Sequence, residues 1–111
     1  MYNCKRSGAV DIVSGDSPLI KEHRTAFLKS IDSCIGNGQP RVVVDLSRVP
    51  LMDSVGLDAL LDARDRCQSL GGSFVLAHPN ALCFDILRIN GIDREINVYD
   101  DVVKALGSFA R

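Results

Sequence analysis

Apolar residues fall into two rhythms along this chain: short, nearly continuous runs, and longer stretches in which they recur every three or four positions. Arg41 to Leu46, R-V-V-V-D-L, sets three β-branched residues side by side. That pattern predicts a central strand covered on both faces. From Ser54 to Leu70 the residues Leu57, Leu60, Leu61, Ala63, Cys67 and Leu70 keep helical spacing, and Gly71-Gly72 stops the run. Ser73 to Ala77, S-F-V-L-A, reads as a second buried strand, followed by a helix marked by Ala81, Leu82, Ile86 and Leu87 and ended by Asn90-Gly91. A short strand over Ile96 to Tyr99 comes next. Asp100 or Asp101 then caps a last helix whose apolar side carries Val102, Val103, Leu106 and Phe109.

The first third is less regular. Ala9 to Val13, A-V-D-I-V, predicts a short strand broken by Ser14-Gly15-Asp16. Ser17 suits an N-cap and Pro18 the first helical position, with Ile20, Phe27, Leu28, Ile31 and Ile35 as the apolar stripe and Gly36-Asn37-Gly38 as the stop. The alternation from Arg41 onward predicts an α/β domain spanning residues 1–111. Its mainly parallel sheet of about four strands carries about four helices on right-handed crossovers.

Composition narrows what such a domain can do. With 46% hydrophobic and 24% charged residues the chain matches ordinary globular proteins. Thirteen basic against fourteen acidic residues leave no electrostatic surplus for nucleic acid or anionic lipid. No apolar run approaches the roughly 18 residues needed to span a bilayer, and Lys5 and Arg6 are not followed by an apolar leader. Membrane insertion is not expected, and the cytoplasm is the expected location. Cys4, Cys34, Cys67 and Cys83 are widely spaced, and His23 and His78 lack nearby thiol or acidic ligands at metal-site spacing. The cysteines are expected to be reduced and mostly in the core, with no metal and no cofactor.

The informative stretch joins the buried strand to the second helix: D45-L-S-R-V-P-L-M-D-S-V-G-L57. Asp45, Leu46, Ser47, Val49, Asp53, Ser54, Gly56, Leu57, Leu60, Leu61, Gly71 and Gly72 stand in the order of a D-L-S-x-V-x-x-x-D-S-x-G-L-x-x-L-L pattern followed by a glycine pair. This pattern resembles the STAS family, named for sulphate transporters and anti-sigma factor antagonists. The resemblance covers Arg41 to about Leu106, because Leu87 and Gly91 echo a later turn. It implies a STAS-like fold and a protein that binds other proteins rather than an enzyme. In the antagonists of bacterial sigma-factor signalling, the serine of the D-S pair is phosphorylated by an anti-sigma factor that is itself a serine kinase. Phosphorylation ends the complex, and transcription is regulated by this exchange of partners. Carried over, the phosphoacceptor is Ser54, with Leu51, Met52, Asp53, Val55 and Gly56 around it as the partner-binding residues.

The start of a helix suits a phosphate, since unpaired N–H groups and the positive dipole end face it. Gly56 would let a partner approach closely. Ser54 can also be read simply as the N-cap of the helix, a role compatible with a switch. Asp53 is open between a capping carboxylate and a group that orients the serine. Asp45 and Ser47 are expected to brace the loop, and Asp62, Arg64 and Arg66 to form a solvated face. Two departures from the family stand out. Only Met1 to Asp16 precedes the first helix, where the family has two strands, so one is expected to be short or missing. Val55 is larger than the residue common at its position, which narrows access to Ser54.

Other chemistries lack their residues. M52-D-S-V-G56 misses the first glycine of a hydrolase elbow, and no glycine-rich phosphate loop is present. STAS domains also serve in lipid- and anion-transport systems. The alternative reading is therefore a non-switching scaffold subunit of such machinery.

Overall fold

The computed structural model describes residues 1–36 and 38–109. Five strands run β1 (Tyr2–Ser7), β2 (Val10–Gly15), β3 (Arg41–Asp45), β4 (Ser73–Ala77) and β5 (Val98–Tyr99). They lie side by side in chain order as one sheet. Only β1 and β2 are antiparallel; every later neighbour is parallel. The helices are α1 (Arg24–Cys34), α2 (Ser54–Ser69), α3 (Ala81–Ile89), α4 (Ile92–Glu95) and α5 (Val102–Gly107), and a 3-10 turn over Lys21–His23 leads into α1.

Both strands of the opening hairpin are present and six residues long, so the expectation of a short or missing first strand is overturned. Gly8, at φ 61°, supplies the left-handed residue that the tight Gly8-Ala9 turn requires. β1 escapes pattern reading because it is an edge strand exposed at Asn3 through Ser7, with only Tyr2 turned into the core. Tyr2 packs edge-on to Phe27, with ring centroids 5.4 Å apart.

Ser17 and Pro18 do not start the first helix. They belong to an extended connection, and α1 begins six residues later without a side-chain cap. Phe27, Leu28 and Ile31 are buried as expected. Of the expected stop, Asn37 lies outside the described residues.

Because each parallel strand is added on the same side, right-handed crossovers place α1, α2 and α3 on one face of the sheet. The packing agrees. Val13, Val42, Val44, Phe74 and Leu76 join Phe27, Ile31, Leu60, Cys67, Cys83 and Leu87 in the larger core. On the other face Val10, Val43, Val75 and Ala77 are covered by α5 through Val102, Ala105 and Leu106, and by Phe109 just beyond it. β3 is thus buried on both faces, as three β-branched residues in a row demand. Two helical positions differ from expectation. Leu82 and Val103 point outward, because the narrow buried stripes of their short helices run through Cys83 and Leu87 and through Ala105.

The charged face of α2 is more structured than a solvated one. Arg24 of α1 contacts Asp62 at 3.0 Å, and Arg66 contacts both Asp62 at 3.2 Å and Asp32 of α1 at 2.8 Å. Arg64 reaches Glu95 at the end of α4 at 2.7 Å. Such half-exposed pairs fix helix alignment more than they add stability, at about 0–1 kcal/mol each.

The cysteines divide. Cys67 and Cys83 are free and buried. Cys4 and Cys34, in contrast, form a disulfide between β1 and the end of α1, with Cα atoms 6.6 Å apart, so the expectation of four reduced cysteines is corrected. Burial raises both free thiols, Cys67 to about 11.

Leu60 is fully buried between α2 and the sheet. Truncating such a leucine alone costs about 2–5 kcal/mol, and a carboxylate there adds an unpaired buried charge. Leu60→Asp is therefore expected to abolish the cooperative thermal transition seen by circular dichroism. A mutant melting like the parent would contradict the packing of α2.

Candidate functional site

β3 ends at Asp45, and the chain takes eight residues to reach the first turn of α2. Those residues are tied down at nearly every step. The Asp45 carboxylate accepts from the Ser47 N–H at 3.0 Å, the bracing expected of this pair. Leu46 donates to the Ala77 carbonyl at 2.9 Å, and Val49 to the Leu46 carbonyl at 3.1 Å. Leu46, Val49 and Met52 are buried beneath the loop. From the α3 side, Asn80 caps its own helix by accepting from Cys83 N–H at 2.7 Å, while its amide donates to the Val49 carbonyl at 3.2 Å.

A second segment crosses from the other direction. Between β2 and α1 the extended chain lays Leu19 alongside Met52 as a parallel bridge. Leu19 donates to the Leu51 carbonyl at 2.9 Å and accepts from the Asp53 N–H at 3.2 Å. Gly56 is required here for its missing side chain, since a Cβ at that position would collide with the Leu19 carbonyl. The close approach that Gly56 permits is therefore to its own chain and not to a partner.

Asp53, not Ser54, is the N-cap of α2. One carboxylate oxygen accepts from Gly56 N–H at 2.8 Å, and the other accepts from Lys21 N–H at 3.1 Å. The Gly56 hydrogen bond, helped by that of Lys21 and opposed by partial desolvation, holds the Asp53 carboxyl below the usual carboxylate range. Asp53 is thus ionised at neutral pH, with both oxygens engaged by backbone donors. Of the two roles open to it in the sequence, capping is the one it performs. The N–H of Gly56, which a phosphate on Ser54 was expected to find unpaired, is already taken.

Ser54 occupies the first helical position and is exposed. Val55 is half-buried, Leu51 is 42% exposed, and Met52 and Gly56 are buried. The predicted site residues are therefore contiguous but layered: Leu51, Ser54 and part of Val55 form the surface, over Met52, Asp53 and Gly56. Sequence reasoning missed Leu19, Lys21, Asn80 and the exposed Leu82. Asn80, before an apolar run, carried a capping signal. Leu19 and Lys21 act through their backbones, which no residue pattern reveals.

The STAS domain family matches residues 2–105. The chain belongs to the STAS domain family. A candidate anti-sigma factor antagonist from Thermotoga neapolitana is 31% identical over 107 residues, covering 96% of this chain and 95% of its own. The crystal structure of a candidate anti-sigma factor antagonist from Thermotoga maritima superposes with a TM-score of 0.91 at 26% identity, covering 99% of this chain and 95% of that one. A sulfate transporter family protein from Wolinella succinogenes shares the fold, with a TM-score of 0.78 at 21% identity over 94% of this chain and 87% of that one.

The cap assignment separates three substitutions in urea unfolding. Ser54→Ala should change stability by no more than about 0.5 kcal/mol, as an exposed residue outside the cap. Asp53→Ala should lower the midpoint clearly, and Gly56→Ala should cost about 1–3 kcal/mol by overpacking. The pH dependence follows from the depressed Asp53 pKa. Its stabilisation is complete above the unfolded value near 3.9 and is lost as pH falls through the lower folded value, so Asp53→Asn should flatten the loss of stability below about pH 4.

Proposed function

We propose that this chain is an anti-sigma factor antagonist that exchanges partners under control of phosphorylation at Ser54. The observation that carries the reading is an exposed serine at the first position of a helix, over a loop held from two sides. The names of the full-length relatives point the same way. A kinase needs the hydroxyl accessible, and a binding surface needs a fixed shape. Leu51 and Val55 beside the serine, and Leu82 on the adjoining α3, offer apolar contact to an anti-sigma factor with serine kinase activity in the cytoplasm.

The charge already present explains how phosphate would end binding. A phosphoserine brings about −1.5 to −2 charges to a point beside ionised Asp53, with exposed Asp58 one helical turn further on. Two nearby N–H donors, those of Gly56 and Lys21, are already engaged by Asp53. Repulsion and desolvation therefore fall on the partner interface, and a coupling of ~3 kcal/mol suffices for about 150-fold in affinity.

Incubation with ATP and the cognate kinase is expected to add one phosphate, mapped to Ser54 by mass spectrometry; placement on Ser47 or Ser69 would overturn the reading. Calorimetry with the anti-sigma factor should find Ser54→Ala close to the parent and Ser54→Asp weaker by tenfold or more. Equal binding of both variants, or capture of a transporter subunit by all forms alike, would favour the scaffold reading.

A further inference from the structure

The ring closed by Cys4 and Cys34 contains the segment that holds the site. Between the two cysteines lie β2, the extended connection through Leu19 and Lys21, and most of α1. The connection is fastened to β1 as well, because the Tyr2 hydroxyl donates to the Pro18 carbonyl at 2.9 Å and lies within reach of the Ser17 carbonyl at 3.1 Å. On the α1 side the Ser30 hydroxyl donates to the Tyr2 carbonyl at 3.2 Å. The disulfide is the covalent member of this set: it fixes where β1 sits against α1. Tyr2, two residues away, fixes where the connection leaves for Leu19.

The bond is also reachable. Cys4 is exposed on the edge strand, while Cys34 is 8% exposed. A cavity of about 260 Å3 lies beside Cys34, lined among others by Arg6, Asp11 and Arg41. The two guanidinium groups outnumber the one Asp11 carboxylate, so the lining is net positive and suits a small thiol that carries carboxylates.

We propose that Cys4–Cys34 is a reversible redox site for a small anionic thiol, and that its state sets the stiffness of the Leu19–Lys21 segment beneath Ser54. A thiolate attacks the sulfur of Cys4, the more exposed of the two residues, the sulfur–sulfur bond breaks, and Cys34 leaves as a thiolate that takes a proton from solvent. A second thiol attacks the mixed disulfide, releasing Cys4 as a thiol and the small molecule as its own disulfide. Two thiols are thereby oxidised for one disulfide reduced. With the ring open, β1 can shift against α1, and the hydrogen bonds from Leu19 and Lys21 to the site lose their backing. The functional weight of this coupling rests on the reading of Ser54 as a switch, but the stiffness itself does not.

The test uses the whole chain in buffers of oxidised or reduced glutathione, with maleimide labelling to count thiols and amide exchange to read the loop. Reduction should raise the labelled thiols in native buffer by two, Cys4 and Cys34. Exchange at Lys21 and Asp53 should accelerate about tenfold, with Val43 and Val75 unchanged. Cys4→Ser should exchange fast in both buffers. Equal Lys21 and Asp53 exchange in the two parental forms would overturn the proposal, as would failure of oxidised glutathione to form the bond. The sulfurs and the Asp11 carboxylate lie within 4.8 Å of one another. Capture of added Zn2+ by the reduced pair, with the loop as protected as in the oxidised form, would assign the cluster to metal instead. The parental comparison decides even if Cys4→Ser does not fold, and it needs neither kinase nor partner. A failed redox effect therefore leaves phosphorylation at Ser54 untouched.

Discussion

The backbone of Leu19 is bonded on both sides to the chain that leads into α2, its N–H donating to the Leu51 carbonyl and its carbonyl accepting from the Asp53 N–H. Its side chain is 1% exposed, so the same residue is anchored in the core and in the loop. Asp45 and Asn80 hold the loop as far as Pro50, and this double attachment holds its last part, Leu51 to Asp53. With it, Met52 pairs with Leu19 as a single parallel bridge. The absence of a side chain at Gly56 follows directly, for the helix can start where it does only if nothing projects toward Leu19.

The electrostatics of the site grow from the same crossing. Lys21 reaches Asp53 only because the segment after Leu19 turns into its 3-10 turn at that point. Asp53 thereby gathers backbone donors from its own helix and from the crossing segment, and its negative charge is fixed in position. The surface around Ser54 consequently sets the charge of Asp53 beside the exposed Leu51.

Much of this was legible in the sequence because it is written in side chains. Val42, Val43 and Val44 announce a strand buried on two faces, Leu57, Leu60 and Cys67 announce the helix after it, and the D-S-x-G-L run locates the junction. What was not legible depends on the backbone or on distance along the chain. β1 carries one buried residue, too few for a pattern, and Ser17-Pro18 mimics a helix start because local propensity cannot foresee that the segment is needed elsewhere. Asp53 and Ser54 are adjacent and both good caps, so spacing alone does not say which one performs the role. The Cys4 to Cys34 pairing requires knowing that β1 runs beside the end of α1, which follows only from the hairpin that was underestimated.

The strand order has a consequence for how the molecule is made. Because every strand lies next to the one that precedes it, a chain emerging from the ribosome can dock each new strand on a surface that already exists. No early strand waits for a late one, and the entropic cost of each closure is that of a single crossover. The hairpin precedes the parallel strands in the chain and α5 follows them, so the Val43 and Val75 side of the sheet stays uncovered until α5 is made. During that interval the nascent domain offers a chaperone one apolar face, and α5 closes it.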